Sequence, residues 1–178
     1  EKIHVVPLAA DVIFRPLDKN QCRKIVKDEL NISRPFLLYI GGFSPRKNLR
    51  GLINAFMSAF ESLREKHQLV IVGALKDEGM DLLKEVTEKN YQEHISFIGY
   101  QQESMLPILY NAAKAFIYPS LYEGFGLPPL EAMSCGTPVI TSSTTSIPEV
   151  IAQEGILINP YKEEEIAEAM VRLLNDED

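Results

Sequence analysis

The chain has 178 residues, of which 46% are hydrophobic and 24% charged, a composition typical of a soluble globular protein. Its 18 basic and 25 acidic side chains give a net charge of −7, which argues against nucleic-acid binding as the main function. The two cysteines, Cys22 and Cys135, lack the spacing of a metal site or a disulfide framework, and no run of about 18 apolar residues predicts a membrane span.

The first half of the chain predicts alternating helices and strands. After an apolar run at Ile3–Val6, Asp18 is a good N-cap for a helix to about Leu30. The continuous apolar run Phe36–Ile40 is typical of a strand buried on both faces of a parallel sheet. Asn48 is a suitable N-cap for the next helix, whose apolar residues are Leu49, Leu52, Ile53, Phe56 and Phe60.

The same alternation continues to the end. Strands are predicted at Leu69–Val72, Ile95–Ile98, Phe116–Tyr118, Val139–Thr141 and Ile156–Ile158. Helices are predicted at Asp77 to about Asn90 (with Met80, Leu83, Val86 and Thr87 inward), at Ser104–Ala113, from Pro128 to Cys135, and from Tyr161, where Glu163–Glu165 form a solvated first turn. About six alternations predict an α/β fold with a doubly wound, Rossmann-like parallel sheet. Ligands of such sheets bind beyond the carboxyl ends of the strands, near the switch point.

Two polar clusters follow predicted strand ends, so one ligand could touch both. The first holds Gly41, Gly42, Arg46 and Lys47, between a strand and a helix start. Backbone N–H groups and two cations converging there suit a phosphate. The alternative is that Arg46 and Lys47 are ordinary solvated loop charges.

The second cluster lies in the stretch Tyr118–Thr141. Glu123 precedes a Gly124-Phe125-Gly126 loop, and a short helix opened by Pro128 and Pro129 carries Glu131 in its first turn. One interpretation is that Glu131 merely complements the helix dipole. The other is that both carboxylates accept hydrogen bonds from a polyhydroxylated ligand while the helix N-terminus takes an anion. The histidines His4, His67 and His94 have no metal-ligand spacing, and each is expected at the surface or in a strand.

The string Glu123 to Val139, E-G-F-G-L-P-P-L-E-A-M-S-C-G-T-P-V, resembles the E-x7-E signature of the group 1 family of retaining glycosyltransferases with the GT-B fold. The similarity runs from about Ile3 to the end and implies the C-terminal, donor-binding half of such an enzyme. Residues 1–30 would then be a crossover segment and first helix belonging with a missing N-terminal acceptor domain, and residues 31–178 the Rossmann-like donor domain.

The resemblance implies a role for each candidate. Glu131 would hold the ribose, Arg46 and Lys47 the diphosphate, and Glu123 the hydroxyls of the transferred sugar. Backbone N–H groups of Phe125, Gly126 and Leu127 would face the ligand beside Gly124. The family often shows Gly-Arg and Lys-Gly where this chain has Gly41-Gly42 and Lys47-Asn48, which makes Arg46 the second cation. Tyr100 matches a position that contacts the base, although core packing is an equal alternative for it.

The resemblance also implies partners. The donor would be a GDP-, UDP- or dTDP-linked hexose of mannosyl or rhamnosyl type, the acceptor a saccharide or lipid-linked saccharide in polysaccharide biosynthesis, and no metal cofactor or nucleic acid would take part. The expected location is the cytoplasm, with peripheral membrane attachment through the missing domain, and the isolated domain is expected to be inactive. Alternatives are a nucleotide-sugar epimerase, a phosphorylase-like enzyme, or a nucleotide-binding module without catalysis.

Overall fold

Helices and strands alternate throughout the chain, and the computed structural model describes residues 2, 4, 6–152 and 154–175. Two residues of the Ile3–Val6 run, at positions 3 and 5, lie outside the described residues. The strands are β1 (Phe36–Ile40), β2 (Gln68–Val72), β3 (Ile95–Phe97), β4 (Ala115–Tyr118), β5 (Val139–Ser142) and β6 (Ile156–Ile158). The helices are α1 (Lys19–Leu30), α2 (Leu49–Ala59), α3 (Asp77–Glu88), α4 (Leu106–Ala112), α5 (Leu127–Ser134), α6 (Ile147–Ile151) and α7 (Glu163–Asn175).

The strands form one parallel sheet with the order β3-β2-β1-β4-β5-β6. Leu37, in β1, pairs with Leu69 of β2 on one side and with Ala115 of β4 on the other. The chain therefore runs outward from β1 to β3, returns through α4, and runs outward again from β4 to β6. This topology confirms the doubly wound sheet and locates the switch point between β1 and β4.

The core surrounds the central strands, whose residues are almost completely buried as the apolar runs predict. Helix α2 packs against α7, whereas α4 packs against α1 and α5, and α5 packs against α6. Both faces of the sheet are therefore covered. Among the described residues, no helix has the length and apolar character needed to cross a bilayer.

Helix α1 begins and ends as its sequence predicts. The Asp18 carboxylate accepts a hydrogen bond from the Gln21 amide at 2.7 Å, and Asn31 ends the helix in the left-handed conformation with φ of 57°. Asn48 likewise precedes α2, but its φ is 53° and its side chain makes no cap. Its Nδ2 atom instead donates to the Pro160 carbonyl at 2.6 Å, so Asn48 joins α2 to the loop before α7.

The predicted inward face of α3 is partly wrong. Of the four residues predicted to face inward, Val86 is buried and Leu83 is partly buried, but Met80 is 55% exposed and Thr87 is also exposed. The buried stripe consists of Gly79, Leu82 and Val86, spaced three and four residues apart, which turns Met80 toward solvent. The predicted Ser104–Ala113 helix also divides into a 3-10 turn at Glu103–Met105 and α4, where Pro107 is the second residue.

Candidate functional site

Two loops meet at the switch point, one after β1 and one after β4. The first contains a 3-10 turn at Pro45–Lys47, and the second leads from Pro119 to the start of α5. The Leu121 amide donates a hydrogen bond to the Arg46 carbonyl at 2.7 Å, so the two main chains are directly connected. Charged side chains from distant parts of the sequence thereby reach the same point.

Lys47, Arg46 and Glu123 form one ion-paired cluster. Lys47 Nζ lies 2.6 Å from Glu123 Oε1, and Arg46 Nη1 lies 3.2 Å from Glu123 Oε2. The side chains of Lys47 and Glu123 are only 11% and 10% exposed, whereas that of Arg46 is 52% exposed. Lys47 is thus the inner cation and Arg46 the outer one, and the alternative that both are solvated loop charges is wrong for Lys47.

Two hydroxyl groups complete the environment of Glu123, and neither was among the residues predicted from the sequence. Tyr118 OH and Ser120 Oγ donate to Glu123 Oε1 at 2.9 and 2.6 Å. Both residues are buried at the end of β4. A tyrosine that closes an apolar strand and is followed by Pro-Ser indicates a polar tip that needs a partner near the strand end, but it does not identify Glu123 as that partner.

These contacts keep Glu123 ionised. Burial alone would raise the pKa of this carboxyl, but hydrogen bonds from Lys47 and Ser120, together with the charge of Lys47, outweigh burial and hold the pKa below its ordinary value. Burial and the neighbouring Glu123 charge raise the pKa of the Tyr118 phenol well above its usual range. Tyr118 therefore remains a neutral hydrogen-bond donor to Glu123.

Helix α5 begins abruptly at the edge of this cluster. Gly126 has φ of +107°, and the helix starts at the next residue, Leu127, with prolines at its second and third positions. The Ser146 hydroxyl donates to the carbonyls of Glu123 and Phe125 at 3.1 and 2.9 Å, which holds the Gly124–Gly126 loop in shape. Because Pro128 and Pro129 have no N–H, Leu127 supplies the one N–H among the first three residues of α5, and this group has no partner within the helix. The positive end of the helix dipole lies at the same point.

Glu131 does not lie in the first turn of α5, so that prediction was wrong. Because α5 begins at Leu127, Glu131 is its fifth residue and no acidic residue occupies the first turn. Its Oε2 atom accepts a hydrogen bond from Tyr110 OH at 2.9 Å. Burial, which outweighs this hydrogen bond, raises the pKa of Glu131, and the nearby Glu103 adds to the increase.

Gly41, Gly42 and Tyr100 line a separate cleft of about 380 Å³ beside the carboxyl ends of β1 and β2. Tyr100 is 76% exposed, which excludes core packing for it. A Cβ at Gly41 would lie 2.8 Å from the Tyr39 hydroxyl, which itself donates to the Gly42 carbonyl at 2.7 Å. Glycine is therefore required at position 41 for this loop to pack on β1.

The predicted site residues lie at one edge of the sheet: residues 124–127 form the loop and first residue of α5, and the others form three groups. Arg46, Lys47 and Glu123 are in direct contact. Glu131 is hydrogen-bonded to Tyr110 of α4, and the two glycines and Tyr100 line the cleft.

Of the histidines, His67 is 2% exposed in the loop before β2, so its expected surface or strand position was wrong. Within the described parts of the chain, no three His, Cys, Asp or Glu side chains cluster as metal ligands would.

Residues 22–178 match the model of the glycosyl transferases group 1 family. The chain belongs to the group 1 glycosyltransferase family. This result confirms the resemblance inferred from the E-x7-E string and favours a glycosyltransferase over an epimerase.

Related sequences match most or nearly all of this chain and are themselves longer. The chain is 36% identical over 178 residues to the O-antigen chain mannosyltransferase B of Escherichia coli, covering 99% of this chain and 46% of the relative. It is 34% identical over 128 residues to the O-antigen chain mannosyltransferase RfbU of Salmonella typhimurium, and this match covers 72% of this chain and 35% of the relative. The group 1 glycosyltransferase chain therefore spans less than half the length of these relatives.

Solved structures share the fold. The C-terminal domain of a group 1 glycosyl transferase (LpcC) from Francisella tularensis superimposes with a TM-score of 0.77 at 26% identity, covering 92% of this chain and 86% of that one. Sucrose-phosphate synthase from Thermosynechococcus elongatus superimposes with a TM-score of 0.77 at 30% identity, and the match covers 92% of this chain and 41% of that one. The fold is thus that of a domain of GT-B glycosyltransferases.

Proposed function

We propose that this chain is the donor-binding half of a retaining glycosyltransferase that uses a nucleotide-diphospho-sugar. The observation that carries the proposal is the convergence of Lys47 and Arg46 on Glu123 at the switch point of the sheet. Two cations and a carboxylate at adjoining positions match a ligand in which a diphosphate is linked directly to a sugar.

Each group has one part of the donor to bind. Lys47 and Arg46 would bind the diphosphate, with the N-terminus of α5 as a third source of positive charge. Glu123 would accept hydrogen bonds from the sugar hydroxyls. Glu131, which retains an acceptor oxygen beside its Tyr110 bond, would hold the ribose, and Tyr100 would cover the base.

In the proposed reaction, the bond between the anomeric carbon and the diphosphate oxygen breaks, and its electron pair stays on the departing diphosphate. The acceptor hydroxyl attacks from the same face, forms the new glycosidic bond and loses its proton to the leaving phosphate oxygen. Lys47 and Arg46 stabilise the charge that develops on the phosphate without a metal ion. Glu123 orients the sugar during its oxocarbenium-like state.

The substrate class follows from the relatives rather than from the contacts. Two of them are named as mannosyltransferases of O-antigen chains, which favours a mannosyl or similar hexosyl unit on a GDP, UDP or dTDP carrier. A saccharide or lipid-linked saccharide would be the acceptor, bound by a further domain of the whole enzyme at the cytoplasmic side of the membrane. This chain alone would bind the nucleotide weakly and would not turn over.

A thermal-shift panel of UDP, GDP, dTDP and ADP tests the proposal directly. A ligand at one hundred times its Kd stabilises a protein by about 2.7 kcal/mol. We expect one nucleotide to raise the melting temperature, and Lys47→Ala to abolish the increase. Lys24→Ala is the matched control, because Lys24 also pairs with a carboxylate, Asp28, but is 77% exposed on α1. No increase with any nucleotide at millimolar concentration would contradict the proposal.

A further inference from the structure

The hydroxyl of Tyr118 lies between the two charged groups at the centre of the site. Lys47 Nζ donates to Tyr118 OH at 2.5 Å, and Tyr118 OH donates to Glu123 Oε1 at 2.9 Å. Lys47 Nζ and Tyr118 OH thus both contact the same carboxylate oxygen, which lies 2.6 Å from Lys47 Nζ. The three atoms form a closed triangle, with the phenol as the uncharged corner.

The Tyr118 ring has little freedom to move. It is 1% exposed and lies between the rings of Tyr39 and Phe116, with centroid distances of 6.1 and 5.7 Å and interplanar angles of 22° and 21°. Lys47 Nζ also lies 4.9 Å from the centre of the Tyr118 ring. The lysine therefore contacts both the ring and its hydroxyl, and both belong to a rigid aromatic stack of β1 and β4.

We propose that Tyr118 is a positioning residue, whose buried hydroxyl aims Lys47 at the donor diphosphate and holds Glu123 in place for the sugar. The proposal rests on the proposed function for the identity of the ligand. The lysine side chain is long and flexible, so it loses conformational entropy when a ligand binds. A hydrogen bond that fixes the position of Lys47 before binding reduces this loss. No other residue in the described part of the chain hydrogen-bonds both of these charged side chains.

The triangle also explains how the ion pair separates when ligand arrives. A diphosphate attracts Lys47 away from Glu123 and would leave the buried carboxylate short of one donor. Tyr118 OH and Ser120 Oγ, both still bonded to Oε1, keep Glu123 satisfied and stationary. Glu123 is thereby retained at the sugar position rather than following the cation.

Tyr118→Phe tests this role, because it removes the hydroxyl and keeps the ring. Thr141→Val is the matched control: it removes another buried hydroxyl, whose Oγ1 donates to the Tyr118 carbonyl at 2.8 Å, without touching the ion pair. The first readout is the titration midpoint of the Glu123 carboxyl by ¹³C NMR, assigned with Glu123→Gln. Lys47 and Arg46 face this carboxyl from the β1 loop, and Tyr118 and Ser120 from β4 and its loop.

We expect Tyr118→Phe to raise the Glu123 midpoint by about half a pH unit to one unit, since a donor to the charged form is lost. Thr141→Val leaves the midpoint unchanged. The second readout is the Kd of UDP and of GDP by calorimetry, which we expect Tyr118→Phe to weaken roughly tenfold for the nucleotide that binds. A midpoint and Kd equal to those of the unsubstituted chain would overturn the proposal, as would equal changes in Tyr118→Phe and Thr141→Val.

The two readouts separate this inference from the proposed function. If neither nucleotide binds the unsubstituted chain while the Glu123 midpoint rises in Tyr118→Phe, the positioning of Glu123 stands and the nucleotide assignment fails. If Tyr118→Phe does not fold, replacement of Tyr118 by 4-fluorophenylalanine fills the hydroxyl volume without a donor. The same midpoint shift is then required, and its absence overturns the proposal.

Discussion

Lys47 and Glu123 are 76 positions apart in the chain, yet their charged atoms lie 2.6 Å apart and each side chain is only about one-tenth exposed. Lys47 comes from the loop after β1 and Glu123 from the loop after β4, the two strands between which the sheet reverses its winding. The pair therefore joins the two halves of the fold at the point where a ligand is expected. It also means that, before any ligand binds, the principal cation of the site is already neutralised.

This relationship predicts that Glu123→Gln strengthens the binding of a free nucleoside diphosphate. The amide keeps the shape of the side chain and one acceptor oxygen for Lys47, Tyr118 and Ser120, but it loses the acceptor that faces Arg46. Without a negative charge, it no longer competes with phosphate for the two cations. We expect the Kd of the diphosphate to fall about threefold to tenfold. In the whole enzyme, the proposed sugar transfer should fall in the same variant, because the proposed contact of Glu123 with the sugar is weakened.

Calorimetry on the chain measures the first effect, with Glu85→Gln as the control. Glu85 also binds two cations, Arg50 and Lys89, but on the surface of α2 and α3. A weaker diphosphate Kd in Glu123→Gln would show that Glu123 organises the cations more than it competes for them.

Lys47→Met should destabilise the fold in a pH-dependent manner. The substitution leaves the nearly buried Glu123 carboxylate without its main partner. We expect the free energy of unfolding to fall by about 1–3 kcal/mol at neutral pH. The loss is limited because Arg46, Ser120 and Tyr118 still contact the carboxylate. The folded-state pKa of Glu123 lies below the ordinary 4.5, so its contribution to stability is present above pH 4.5 and is lost as the pH falls through the folded pKa.

Urea unfolding from pH 7 to pH 3 measures this difference. The difference in free energy of unfolding between the original chain and Lys47→Met should decrease at acid pH, because Glu123 becomes protonated there. Lys24→Met, which breaks an exposed pair on α1, should change stability by less than about 0.5 kcal/mol at every pH. A difference in free energy of unfolding that stays constant across the pH range would argue against a charge effect at Glu123.

Glu131 has the opposite linkage. Its folded-state pKa lies above 4.5, so ionised Glu131 disfavours the folded state above that folded pKa, and stability is regained as the pH falls toward 4.5. Glu131→Gln should therefore raise the melting temperature at pH 7 by roughly 2–4 °C while preserving an acceptor for Tyr110. Differential scanning calorimetry tests this, and the exposed Glu168→Gln on α7 is the control. A lower melting temperature at pH 7 would contradict it.

Gly126 and Gly124 offer a paired test of the loop before α5. An added Cβ at Gly126 would collide with Ile147 Cδ1, and its φ of +107° disfavours any other residue. Gly126→Ala should lower the free energy of unfolding by about 1–3 kcal/mol. At Gly124 nothing lies within 4 Å of an added Cβ, so Gly124→Ala should remain within about 0.5 kcal/mol. Chemical denaturation compares the two, and equal losses would refute the steric argument.

The sheet and the main charged residues were predictable from the sequence because their signals are local. Continuous apolar runs such as Phe36–Ile40 located the strands, and the basic pair and Glu123 stood in the loops that follow two of them. The position of Glu131 was wrong because two prolines suggested a start at Pro128, whereas a left-handed Gly126 starts the helix at Leu127.

The contacts of Tyr118 and the burial of His67 could not be predicted, for a different reason. Apolar periodicity shows that a residue is buried but not which partner its polar atom meets across the sheet. Tyr118 OH reaches Lys47, 71 residues earlier in the chain, only because β1 and β4 are neighbours. Strand order, which alternation alone leaves undetermined, decides that contact.

The hydrogen bond from the Leu121 amide to the Arg46 carbonyl has a consequence for how this site can be altered. It joins the two ligand-facing loops into one frame, so lengthening either loop would displace both cations and the carboxylate together. Under the proposed function, new donor preferences are therefore accessible through side-chain exchange at exposed positions such as Tyr100 and Tyr122, whose side chains lie outside this frame. Insertions and deletions belong elsewhere on the molecule, away from the carboxyl ends of β1 and β4.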